Sequence, residues 1–186
     1  MNYIQEIKNY KPVNEQETED KKVILDYIKS FPTTVLLREN KIAHMTASGL
    51  IVNQAHSKML MIHHNIYKTW TWTGGHCDGE EDLLKLALRE AYEETGLQSC
   101  RPLSGIGSID ILVVQSHMKR AKYVPAHLHL NVSYVFEADE EETLTLNEDE
   151  TSGLKWVPLE KVSAYSGEEE IIYIYDKLFK NIGIER

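Results

Sequence analysis

Gly74-Gly75-His76-Cys77-Asp78-Gly79-Glu80-Glu81-Asp82-Leu83-Leu84-Lys85-Leu86-Ala87-Leu88-Arg89-Glu90-Ala91-Tyr92-Glu93-Glu94-Thr95-Gly96-Leu97 is the stretch on which the reading of this 186-residue chain turns. It opens as a glycine-rich turn behind an aromatic run, Trp70-Thr71-Trp72-Thr73. A helix is predicted from Asp82, whose side chain suits an N-cap. Leu83, Leu84, Leu86, Ala87, Leu88 and Ala91 recur at helical spacing, and Gly96 falls where a left-handed residue closes a helix. On that helix Glu90, Glu93 and Glu94 stand at i, i+3 and i+4, within one arc of roughly 100°. Like charges at that spacing repel, and the C-terminal turns of a helix disfavour anions. A bound divalent cation offsets both effects, and carboxylate oxygens are the donors that hard ions such as Mg²⁺ take. The plainer alternative is a solvated acidic helix end, paired with Arg89 or with lysines elsewhere.

The spacing carries more than the glutamates alone. Gly75, five residues, Glu81, seven residues, Arg89-Glu90-Ala91, one residue, Glu93-Glu94, one residue and Gly96-Leu97 together resemble the signature of the Nudix hydrolase family, with every fixed position filled. Ala91 stands where a larger aliphatic is usual. The resemblance implies a loop-helix-loop that binds Mg²⁺ or Mn²⁺ and hydrolyses a diphosphate linkage in a nucleoside diphosphate joined to another group. Position by position, it implies Glu90, Glu93 and Glu94 as metal ligands, with the backbone carbonyl of Gly74 as a further one. Arg89 is then the partner that orients the glutamates, and Glu81 supports the loop or the metal's water shell. Two rival functions on the same fold are a nucleotide-sensing domain without turnover and a prenyl diphosphate isomerase.

Hydrolysis also needs a group to take a proton from the attacking water. Glu93 or Glu94 can serve, and Glu150, shortly before Trp156, is the candidate outside the helix. Against it, Glu150 belongs to an acidic run with Glu148 and Asp149 that reads equally as a solvated loop. Trp72, Trp70, Tyr67 and Tyr123 are candidate stacking partners for a base, or core residues. Lys68, Lys119, Arg120 and Lys122 are candidate phosphate contacts. His76 is placed to reach a phosphate or hold the loop. His127 and His129 share a face if their strand is regular. A histidine zinc site needs a third ligand and a tetrahedral arrangement, so pocket-lining histidines are the simpler expectation.

Composition sets the outer bounds. A 42% hydrophobic share with 26% charged residues is that of a soluble globular chain, long enough for a proper core. A net charge of −9 argues against broad nucleic-acid binding, though not against a small anionic substrate that a metal neutralises locally. No apolar run approaches 18 residues, and the N-terminus lacks the basic and apolar regions of a signal peptide. The expectation is therefore a cytoplasmic protein without membrane association. Two cysteines, Cys77 and Cys100, are too few for a disulfide framework.

Outward from the signature, residues 1 to 12 show no strong period. Asn14, with Glu17 three residues on, predicts a capped helix over 15–30. That helix reads as a brace on the core, with a homodimer contact or a pocket wall as alternatives. Strands are predicted over 46–53, 58–63, 106–115 and 127–138, and a short one over 154–157. Residues 117–123 read as a basic hairpin loop. Leu144 and Leu146 suggest a short strand inside an otherwise solvated acidic segment. A short helix from Pro158 and a final one over 167–181 complete the chain. Such alternation predicts a mixed β-sheet between helical layers. The resemblance makes this an α/β/α sandwich, with an N-terminal helical extension over 1–32 and the hydrolase domain over 33–186.

Overall fold

The computed structural model describes residues 2–65, 68–119, 121–149, 151–167 and 169–184. Helix α1 (Tyr3–Asn9) and helix α2 (Glu15–Ser30) precede strand β1 (Ala43–Asn53) and strand β2 (Lys58–His64). Two short strands, β3 (Trp70–Thr71) and β4 (Thr73–His76), lead through the glycine-rich loop into helix α3 (Leu83–Thr95). Strands β5 (Arg101–Pro102), β6 (Ser108–Val114), β7 (His117–Lys119), β8 (Lys122–Val124) and β9 (His127–Ala138) follow. Strand β10 (Thr151–Pro158), a 3₁₀ turn, helix α4 (Val162–Tyr165) and helix α5 (Glu169–Asn181) close the chain.

The eight-stranded sheet runs β10-β2-β1-β9-β5, with β3 on β2, β4 on β1 and β6 on β9. It is mixed because β1 and β9 run parallel, from Ala43↔Leu128 to Asn53↔Ala138, while the other pairs are antiparallel. β1 lies at its centre and is buried along its whole length. One face of β1 places Ala43, Met45, Ala47 and Ile51 in a core with α1, α2 and α3. The other face divides. Leu50 and Val52 join a second core under α5, while His44, Thr46 and Ser48 keep their polar side chains on that face. Helices therefore cover both faces of the sheet, and a polar strip of its floor remains for a site.

Helix α3 forms for the reasons its sequence supplies. Asp82 Oδ1 accepts the Lys85 N–H at 3.0 Å, and Gly96 closes the last turn at φ 75°. A Cβ at Gly96 would lie 2.6 Å from the Thr145 backbone nitrogen, so both conformation and space demand glycine. Leu83, Leu86, Ala87 and Ala91 are buried against the sheet. Each fully buried leucine there contributes about 1.5–3 kcal/mol relative to exposure.

Several elements differ from the sequence reading. A capped helix, α1, occupies residues read as aperiodic; it buries only Tyr3 and Ile7, one turn apart, too few positions to show a period. Strand β1 starts three residues before the predicted Thr46, where it pairs with β9. The basic segment at 117–124 is itself a two-stranded hairpin. Leu144 and Leu146 form no strand, because Thr145 turns inward to bond its N–H to the Thr95 carbonyl at 2.8 Å. Among the described residues no helix is long and apolar enough to cross a membrane.

Helix α2 is tied down by charge as well as by apolar contact. Asn14 Oδ1 accepts the Glu17 N–H at 2.8 Å, and Glu17 Oε2 reaches back to the Val13 N–H at 2.9 Å. Glu17 is fully buried, where it accepts from Tyr10 Oη at 2.7 Å. Lys177 of α5 makes an ion pair with Glu17 Oε1 at 3.0 Å, not in hydrogen-bond geometry, and bonds Asp110 of β6. One ammonium thus joins α2, β6 and α5.

Candidate active site

A cleft of about 1160 Å³ opens over the polar strip of the sheet. The C-terminal half of α3 and the Gly74-Gly75 segment wall one side, and β6 and the start of α5 wall the other. Asn131 of β9 organises the floor. Its Oδ1 accepts from Thr46 Oγ1 at 2.8 Å and Ser48 Oγ at 3.0 Å, while its Nδ2 donates to Ser133 Oγ at 2.9 Å. The pairing Thr46↔Asn131 and Ser48↔Ser133 makes this network possible.

Glu90, Glu93 and Glu94 all line the cleft, with Gly74, Gly75 and Arg89. Glu94 is 3% exposed, and its Oε2 accepts the Gly74 N–H at 2.9 Å. That bond also orients the Gly74 carbonyl. Cys77 N–H donates to the Met45 carbonyl, so odd-numbered residues of this segment bond β1. The N–H and C=O of Gly74 therefore both face away from β1, toward α3. Gly75 lets the Glu90 carboxylate come close: a Cβ would lie 2.5 Å from its Cδ. Glu93 is the outermost of the three, its side chain 58% exposed. Arg89 spans two of them, with Nη2 3.3 Å from Glu90 Oε1 and Nε 3.9 Å from Glu93 Oε1. Three carboxylates and a backbone carbonyl facing one cleft are a donor set suited to a hard divalent cation.

The loop after Gly75 is braced from outside the signature. Arg38, before β1, forks onto Asp78, with Nε 2.7 Å from Oδ1. The guanidinium holds the Asp78 carboxyl below its ordinary range. Burial pushes the Cys77 thiol up to about 12, so this side chain is core rather than nucleophile.

Other sequence candidates scatter. Glu81 is exposed and does not line the cleft; its charge is felt by Tyr3, whose pKa rises first through burial and then through Glu81. Glu80 makes the loop bonds instead, accepting from Asp82 N–H at 3.1 Å and Lys85 Nζ at 3.0 Å. Trp72 lines the cleft with its ring 5.3 Å from that of Tyr175 and is 7% exposed. Trp70 packs between His63 and Tyr165. Lys68 and Lys122 are exposed and outside the cleft lining, as is Tyr123. Glu150, Tyr67 and Arg120 lie outside the described residues, as does the side chain of Lys119. His76 lines the cleft beside His129, their rings 5.0 Å apart. Burial, and then the neighbouring His76, His44 and His127, lower the His129 pKa to about 2, so its ring is neutral. Sequence reading missed Arg38, His44 and the Asn131 network. The alternation His44-x-Thr46-x-Ser48 against His129-x-Asn131-x-Ser133 was the available signal.

A mixed sheet between helices, with this loop and helix at its cleft, defines a class. The NUDIX domain family model matches residues 43–178, and the chain belongs to the Nudix family; it is a Nudix hydrolase. Among named relatives, a probable DHNTP pyrophosphohydrolase of Lactococcus lactis is 25% identical over 138 residues, covering 73% of this chain and 80% of that protein. The Ap4A hydrolase of C. elegans, solved as a binary complex, superimposes with a TM-score of 0.58 at 18% identity, covering 74% of this chain and 96% of that one. The E. coli dihydroneopterin triphosphate pyrophosphohydrolase gives a TM-score of 0.58 at 15% identity, with 74% and 95% covered. These structural likenesses carry the fold.

Proposed function

We propose that this chain is a metal-dependent hydrolase that cleaves the diphosphate linkage of a nucleoside diphosphate derivative or a similarly compact organic diphosphate. The observation that carries the reading is the gathering of Glu90, Glu93 and Glu94 around Gly74 and Gly75 in one cleft. Mg²⁺ or Mn²⁺ supplies Lewis-acid stabilisation of charge on phosphate oxygens. Glu90, Glu93, Glu94 and the Gly74 carbonyl hold the ion, and Glu94 also fixes the strand that carries that carbonyl. Glu93, the outermost of the three, takes the proton from the attacking water. Arg89, close to both Glu90 and Glu93, offsets the repulsion between the two carboxylates. The cleft lining also includes the apolar side chains of Ile62, Trp72, Leu112 and Ile171, which suit a flat heterocycle. Residues 1–32 form a helical extension to the hydrolase domain, 33–186, in this reading.

The test is phosphate-coupled product detection with Mg²⁺. The names of the relatives put dihydroneopterin triphosphate and Ap4A first, followed by nucleoside triphosphates, nucleotide sugars and ADP-ribose. A metal-dependent turnover that falls at least about 100-fold in Glu93→Gln supports the reading. Turnover without added metal after chelation, or full activity in Glu93→Gln, overturns it.

A further inference from the structure

Four histidines from three strands meet beside the cleft: His44 of β1, His76 of β4, and His127 and His129 of β9, with His76 and His129 in its lining. One ring nitrogen from each lies within 4.8 Å of all the others. We propose that they form a second metal site, a tetrahedral all-imidazole centre for one late first-row transition ion of the Zn²⁺ class.

Strand register brings them together. His44 pairs with His129 across the parallel ladder, and His76 pairs with Thr46, one same-face step from His44. His127 follows from the two-residue period of β9. Ring centroids stand 5.0 Å apart for His44–His76, His44–His127 and His76–His129, and 5.1 Å for His44–His129 and His127–His129.

The tautomers point inward. His44 Nδ1 lies 3.0 Å from the Asn40 carbonyl, and His127 Nδ1 lies 2.9 Å from the Pro125 carbonyl. A carbonyl only accepts, so in both rings Nδ1 carries a proton, and the neutral ring then presents its lone pair at Nε2. This is the outer-shell arrangement that orients metal-bound imidazoles. His127 Nε2 faces His129 Nε2 at 3.2 Å. Nitrogens about 2.0–2.1 Å from a shared tetrahedral ion stand about 3.4 Å apart, close to that separation. His44 Nε2 is buried and has no hydrogen-bond partner among the described residues. A bound ion gives that lone pair its partner.

The donor set selects its own class of ion. Imidazole nitrogens favour Zn²⁺, Cu²⁺ or Ni²⁺, whereas the carboxylates beside Gly74 suit Mg²⁺ or Mn²⁺. Four protein ligands close a tetrahedron, the mark of a structural rather than a catalytic centre. Its mechanical effect falls on His76, two residues beyond Gly74, so the ion clips the glycine segment to β1 and β9.

The full chain, stripped with chelator and titrated with Co²⁺, tests this without any activity assay. We expect one equivalent to develop the intense visible bands of tetrahedral cobalt, and Zn²⁺ to bleach them. His44→Ala and His127→Gln, each checked for folding by circular dichroism, should weaken binding at least about 100-fold, as loss of a direct ligand must exceed an outer-shell change. Glu93→Gln should leave the bands in place. Only the weak bands of octahedral, oxygen-bound cobalt in the folded wild type would overturn the site, as would bands that survive His127→Gln or vanish in Glu93→Gln.

Discussion

Glu94 and Gly74 are joined by a single hydrogen bond of 2.9 Å, from the glycine N–H to the carboxylate Oε2. It spans the last turn of α3 and the strand before the loop, with Glu94 buried and Gly74 half-buried at the cleft. The bond separates two roles for one residue, holding the loop and supplying charge.

Substitution at Glu94 distinguishes them. Glu94→Ala should leave the Gly74 N–H without its acceptor and cost about 1–3 kcal/mol in urea unfolding. Glu94→Gln keeps an acceptor and loses the charge, so its stability should stay near wild type while turnover falls. Equal stability losses in both variants would show that the bond is not what holds the loop.

Gly75→Ala addresses geometry at the neighbouring residue. The added methyl would lie 2.5 Å from the Glu90 carboxylate carbon, the movable end of a side chain. Glu90 can swing away, so Tm should change little. Displacing a carboxylate by an ångström or more should lower kcat about 100-fold. Steady-state kinetics beside a thermal melt decide it, and retained kcat would remove Glu90 from the site.

Lys177→Met removes the cation from the buried cluster with Glu17 and Asp110. Both carboxylates are buried, at 0% and 3% side-chain exposure. Stranding them should destabilise the fold by about 3–5 kcal/mol. Replacing all three with apolar residues should recover much of that loss. Chemical denaturation of the single and triple variants measures both.

Tyr10 sets an alkaline limit. Burial, followed by its bond to Glu17, raises its pKa above the ordinary 10.0. Below pH 10 both folded and unfolded chains hold the proton, and the stabilising contribution is complete. Above it the unfolded chain ionises first, so stability falls as pH rises, at up to about 1.4 kcal/mol per pH unit. Tyr10→Phe should be less stable at neutral pH and show a shallower loss above pH 10. Parallel unfolding curves for both proteins on either side of pH 10 test it.

The sequence made the periodic elements legible. Helix α3 and strand β9 carry apolar stripes along their length, helix α2 carries its cap at Asn14 and an apolar C-terminal half, and their predicted limits lie within a residue of those observed. The glutamates were legible because one helix carries all three. What could not be read was juxtaposition across strands. His44 and His76 lie far from His127 and His129 along the chain, and only register unites them. Arg38 was hidden similarly, since its partner Asp78 stands 40 residues away. Glu81 illustrates a different limit: a fixed position in a signature does not say which way its side chain turns.

The ladder between β1 and β9 joins residues 85 positions apart, from 43 to 128 through 53 to 138. Closing so long a loop comes before any reward from pairing, which slows folding. During synthesis the central strand emerges early and waits, with one edge unpaired, until residue 138 has left the ribosome. Until then its apolar run, Leu50-Ile51-Val52, is open to other chains. Helices α1 and α2, made first and lying against the same core as Ala43 and Met45, are in place to shelter one face of that strand in the interval.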